Sequence, residues 1–199
     1  MFAKISAFLE TYLVDEKSRE KKIGIFIGLL AVMLAVVSTG GGNATKDATL
    51  RNIEATNLWS FFQAKNLRRS TYQLAADELE LMLKLMPAAP ADARAVTEAK
   101  IKAYRDQIAR LTSDKERNEG LDELFVRAKA VETQRDLAMR RDPYFDLSQA
   151  FLQIAIVLAS VAIISSGNML LMGSLALAVL GTLLGLNGFA LLVPIPFVE

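Results

Sequence analysis

The sequence predicts an all-α membrane protein: three transmembrane helices, with an extramembrane antiparallel, coiled-coil-like helical hairpin between the first and second. Three observations predict it. Residues 23–39, 147–164 and 169–193 contain no ionisable side chain, although 23% of the chain is charged. Each run is close to the roughly 17 to 25 apolar residues that cross a hydrocarbon core about 30 Å thick, at about 1.5 Å of helix rise each. The remaining stretch, which holds most of the charge, shows apolar residues at helical spacing. A charge at the bilayer centre costs about 2.5–3.5 kcal/mol, so three uncharged runs carry weight. A soluble core helix, apolar all round, needs a large surrounding domain, and the rest of this chain is too polar to build one.

Residues 1–22 form an N-terminal amphipathic and charged segment. Phe2, Ile5, Phe8, Leu9, Tyr12 and Leu13 lie near helical spacing, as in a short helix on a membrane surface. The charged stretch 15–22 precedes the first span, 23–39. Ser38 and Gly40 are small residues at positions like those of signal cleavage. The region before them is long and carries acidic residues among its cations, which favours a retained anchor. Gly40–Gly42 is then expected to interrupt the chain, with Asn43 or Thr45 capping a new helix.

The hairpin occupies 43–146, with arms at about 45–86 and 93–141. Along the first arm Leu50, Ile53, Asn57, Phe61, Ala64, Thr71, Leu74, Leu81 and Leu85 recur at steps of mostly three or four, which reads as its seam. Pro87 and Pro90 stop that helix, and Asp92 is placed to cap the next. The second arm shows Ile101, Tyr104, Ile108, Leu111, Leu121, Leu124 or Phe125, Ala128, Val131 and Met139, with Gly120 as a kink or break. One narrow seam makes a lone hairpin marginal, so its stability is expected to depend on association. Pro143 fits a helix start, and Tyr144 and Phe145 suit an interfacial aromatic belt. The second span covers 147–166 and the third 169–193, joined by a tight turn at 165–168.

Orientation is contested by two sets of cations. Lys17, Arg19, Lys21 and Lys22 favour a cytoplasmic N-terminus; Arg135, Arg140 and Arg141 favour a cytoplasmic hairpin. The first helix usually dominates, which puts the N-terminus inside and the hairpin outside.

At ATLRNIEATNLWSFFQAKNLRRSTYQLAADELE (48–80) and RDPYFDLSQAFLQIAIVLASVAII (141–164) the chain resembles a family of small bacterial membrane proteins, the domain-of-unknown-function 4337 family. The order of a short first span, a polar helical middle and a Gly-rich last span is similar too. The resemblance implies a bacterial membrane protein, expected in the inner (cytoplasmic) membrane, and transfers no catalytic residue; the periplasmic hairpin is expected from the cations alone.

Little chemical equipment is visible. With no Cys there is no disulfide or thiol chemistry, and with no His the commonest acid–base group and metal ligand are missing. A net charge of +1 implies neither nucleic acid nor an acidic substrate. Asp114, Glu116 and Asn118 alternate as in a calcium loop, yet Glu119 and Phe125 stand where such a loop needs Gly and a bidentate Glu. Asp77, Glu78 and Glu80 point to different sides of a helix. Lys65, Arg68 and Arg69 form a basic patch, read as pairing with carboxylates across the hairpin. The expectation is no catalytic, cofactor or metal site.

The candidates are therefore packing residues. Gly24 with Gly28, Ala155 with Ala159, and Gly181 with Gly185 stand four apart, one pair per span, and small residues let helix backbones approach in lipid. Trp59, Phe61 and Phe62 are the densest aromatic group, expected in a hairpin or oligomer core. Gln149, Gln153 and Asn187 are the intramembrane polar candidates, without an ionisable group to mark an ion route. The favoured function is a self-associating structural or interaction protein, or an accessory subunit of a larger membrane complex. The alternative is a homo-oligomeric channel, and an enzyme comes last.

Overall fold

The computed structural model describes residues 2–165 and 168–195, with side chains from residue 17 onward. The expected surface face of residues 2–13 lies outside the described side chains, as do Ser166 and Gly167 of the turn and the tail beyond residue 195. The described residues form four helices: α1 (Phe2–Leu85), α2 (Ala91–Thr112), α3 (Leu121–Ser165) and α4 (Asn168–Ala190). The chain divides into two units, one of Met1–Ala48 with Leu137–Glu199 and one of Thr49–Asp136.

In the first unit three helices pack on faces that repeat every seven residues. Ile23, Leu30, Val37 and Ala44 are buried on α1; Ala138, Phe145, Leu152 and Ala159, with Ser148, Ala155 and Ala162, are buried on α3. On α4 the buried face is Ser174, Ala178, Gly181, Gly185 and Gly188. A strict seven-residue repeat under-winds the helices to 3.5 residues per turn and favours left-handed packing. The outer faces are just as apolar: Ile25, Leu29, Val32, Val157, Leu183 and Leu186 are all exposed. In water each such side chain would forgo about 1.5–3 kcal/mol of burial. Three helices, α1, α3 and α4, are long and apolar enough to cross a membrane, and less than a third of each apolar window is buried within the chain.

Two expected breaks are absent. Gly40–Gly42 does not interrupt α1, and neither Asn43 nor Thr45 caps a new helix. Glycine costs a helix only about 1 kcal/mol relative to Ala, and packing against Gly40 and Gly41 offsets that. Pro143 does not start a helix either; it lies inside α3. It removes one backbone donor there, and the packing of its neighbours carries the helix through. Helix α4, the third candidate span, ends at Ala190, where Leu191 turns left-handed with φ 48°.

In the second unit α1 runs antiparallel to α2 and to the start of α3. Asn52 meets Arg135, Trp59 meets Phe125 and Glu132, Lys65 meets Glu119, and Tyr72 meets Tyr104. Ala55, Leu58, Leu124, Ala128 and Val131 form the core, with Trp59 and Phe62 packed against it. The second arm is not one helix: it breaks at 113–120. Ser113 is extended, and Asn118 takes a left-handed φ of 55°, a conformation asparagine tolerates. A Cβ on Gly120 would sit 2.5 Å from the Asp114 nitrogen, so only glycine fits the turn.

The seam expected on the first arm is the larger correction. Leu50, Ile53, Phe61, Leu74, Leu81 and Leu85 are exposed. The face that packs within the chain is Ala55, Leu58, Phe62, Lys65, Arg69, Tyr72, Ala76, Leu79 and Leu83, buried or half-buried throughout. On the second arm Ala138 is buried where Met139 was expected, and of Leu124 and Phe125 it is Leu124 that is buried, with Phe125 46% exposed.

Candidate functional site

A buried constellation of side chains is built around RDPYFD, residues 141–146. The Phe145 ring fills a slot between α1 and α4. Cβ atoms built on Gly40 and Gly188 would lie 2.8 Å and 3.0 Å from it, and one on Gly41 would lie 3.1 Å from both Phe145 and the Gln149 amide. Phe189 closes the slot edge-on, at 4.8 Å between ring centroids. Asp142 accepts a 2.7 Å hydrogen bond from the Thr45 hydroxyl. The Tyr144 hydroxyl donates to the Val193 carbonyl at 3.3 Å and accepts from the Ile195 amide at 3.0 Å. Tyr144 and Phe145 are thus buried inside the bundle, 0% and 2% exposed, and do not form a lipid-facing belt.

The three small-residue pairs have different fates. Ala155, Ala159, Gly181 and Gly185 are buried between α3 and α4. Two serines cross-link that contact: Ser148 Oγ donates to the Gly181 carbonyl at 2.6 Å, and Ser174 Oγ to the Ala155 carbonyl at 2.7 Å. A Cβ on Gly185 would meet Val37 of α1 at 2.8 Å. Gly24 and Gly28 are exposed, and among the described residues nothing lies within 4 Å of a Cβ built there. The serines escaped the sequence reading. Their signal was available, since Ser174, Gly181 and Gly188 stand seven apart.

Of the polar candidates, Gln149 is half-buried beside Gly41 and Gln153 is exposed. Asn187 is committed to the fold, donating to the Val193 carbonyl at 2.7 Å and accepting from its amide at 3.0 Å. Both pairs of bonds, from Tyr144 and Asn187, hold residues 193–195 against the bundle.

In the second unit the aromatic group splits. Trp59 is half-buried, donates to Glu132 at 2.9 Å and packs edge-on to Phe62 and Phe125. Phe61 is 42% exposed, with the Lys65 ammonium 4.8 Å from its ring centroid. Lys65 also donates to the Glu119 carbonyl, and Arg69 to the Asn66 side chain at 2.9 Å. The acidic residues serve the turns: Asp114 accepts from the Arg117 amide, and Glu123 from the Ser113 hydroxyl and the Asp114 amide. Ser113 above all holds Glu123 below the ordinary carboxylate value of 4.5, and Lys129, then Trp59, do the same for Glu132. Among the described residues no group of three or more acidic side chains is placed to hold a metal ion.

What stands out in this unit is an exposed face. On α1, Ile53, Ser60, Leu67, Leu74 and Leu81 lie seven apart, and Leu50, Asn57, Ala64, Thr71, Glu78 and Leu85 interleave with them at the second heptad position. All eleven are exposed. This stripe is offset by two residues, about 200° round the helix, from the face that packs within the chain. The arm therefore carries two heptad seams, and the chain fills one.

A family model described as a domain of unknown function (DUF4337) matches residues 19–191. The chain belongs to that family. In this DUF4337 chain the matched region takes in all three apolar helical segments, the glycine slot, RDPYFD and the open stripe. No curated protein and no solved structure matches the chain.

Proposed function

We propose that this DUF4337 protein is an integral protein of the bacterial inner membrane whose role is structural: it self-associates, or joins a larger membrane complex as an accessory subunit. The observation that supports this best is the unfilled second seam on the first arm. A heptad stripe of this length left open to water is the kind of surface that marks a protein–protein contact. The exposed Gly24 and Gly28, which meet none of the described residues, add a second face suited to close helix approach in lipid. We take the N-terminus as cytoplasmic and the arms as periplasmic, from the cations at 17–22.

A homo-oligomeric pore draws less support. Its polar lining would need Gln149, Gln153 and Asn187 to converge, and Asn187 is occupied in holding Val193. Negligible ion flux from well-folded protein in planar bilayers is the expected result. The structural reading is tested by native mass spectrometry of protein extracted from its own membranes in mild detergent. A defined homo-oligomer or a reproducible complex with other proteins is expected; a stable, partner-free monomer would overturn the reading.

A further inference from the structure

We infer that the open stripe on α1 is the self-association surface, and that its occupant is the same stripe of a second copy, parallel and in register. This rests on the self-association reading above and adds the surface, the partner and the direction.

Three observations carry it. The first is size. From Leu50 to Leu85 the stripe runs about 50 Å, and at about 10 Å wide it offers two copies about 1,000 Å² of buried surface in all, the threshold for a specific interface. The second is the pattern of layers. In a parallel, in-register pair each position meets itself, so Asn57 faces Asn57 of the second copy, small Ala64 faces Ala64, and leucines face leucines. An asparagine at one core position is a known device for fixing register in parallel pairs. Antiparallel pairing would set Asn57 against Leu74 or Leu81, depending on register, leaving its amide buried against hydrocarbon in either case.

The third is charge. Parallel pairing sets each flanking residue against the one five positions on in the second copy: Thr56 against Phe61, Gln63 against Arg68, Asp77 against Met82. No like charges meet across those flanks. Glu78 is the one layer that opposes the pairing, because two carboxylates would face each other there. Glu78→Leu is therefore expected to tighten association, by about tenfold for each 1.4 kcal/mol recovered.

The chain has no cysteine, so single cysteines report cleanly. Ile53→Cys and Leu81→Cys mark the two ends of the stripe, and Gln73→Cys is an exposed control off the stripe. Each full-length variant is oxidised mildly in native membranes, and its native mass is measured in mild detergent. The expected result is a homo-oligomer by mass, covalent dimers for Ile53→Cys and Leu81→Cys, and none for Gln73→Cys. An oligomer without covalent dimers at the two ends would overturn the parallel stripe while leaving self-association intact. A monomer by mass would overturn both. A cross-link to a different protein at these positions would replace the second copy as the occupant.

Discussion

A Cβ on Gly40 would lie 2.7 Å from Phe189 and 2.8 Å from Phe145, whereas one on Gly42 would meet nothing within 4 Å. The two neighbouring glycines therefore differ sharply in what they tolerate. Gly40→Leu is expected to displace Phe145 and cost about 1–3 kcal/mol, seen as a lower thermal midpoint in detergent. Gly42→Leu, in the same experiment, is expected to stay within about 0.5 kcal/mol. Equal effects would show that the slot does not exist. The carboxylates of the arms make a second residue-scale prediction. Glu123 and Glu132 are held below the ordinary value of 4.5 in the folded arms. Their contribution is present above 4.5 and is lost as the pH falls through their lower folded values. Acidification from about 6 to about 3 is thus expected to loosen the arms, followed by proteolysis of the 113–120 loop. Glu123→Gln together with Glu132→Gln should flatten that dependence.

Helices α3 and α4 are joined by small residues and two serines. Removing those hydroxyls tests the contact: Ser148→Ala and Ser174→Ala should each cost about 0.6 kcal/mol, the usual scale of an interhelical hydrogen bond in a membrane protein. Unfolding in mixed detergent would measure it, and a gain in stability on both substitutions would contradict the assignment. The helices themselves were legible in the sequence, because uncharged runs and proline positions are local signals. Where the helices join was not. Gly40–Gly42 reads as a break when only propensity is weighed, and becomes a socket once Phe145, more than a hundred residues away, is known to fill it. Pro143 reads as a start for the same reason. The first arm misled differently. It carries two heptad seams, and the more leucine-rich one drew the reading, while the chain packs on the one with Ala55, Lys65, Arg69 and Ala76.

At the scale of the whole molecule, the second seam carries the weight. The sequence places Leu67, Leu74 and Leu81 on a face that the single chain leaves exposed, the face of the proposed second-copy contact. Nothing in the composition named that neighbour; the alternation of Asn57, Ala64 and the leucines is what points to a second copy. The measurement that tests this most directly compares the native mass of the wild-type protein with that of a Leu67→Glu, Leu74→Glu double variant, both extracted in mild detergent, with helicity checked by circular dichroism. The account predicts an oligomer for the wild type and a monomer of unchanged helicity for the variant. A wild-type monomer, or an oligomer that survives both charges, would contradict it.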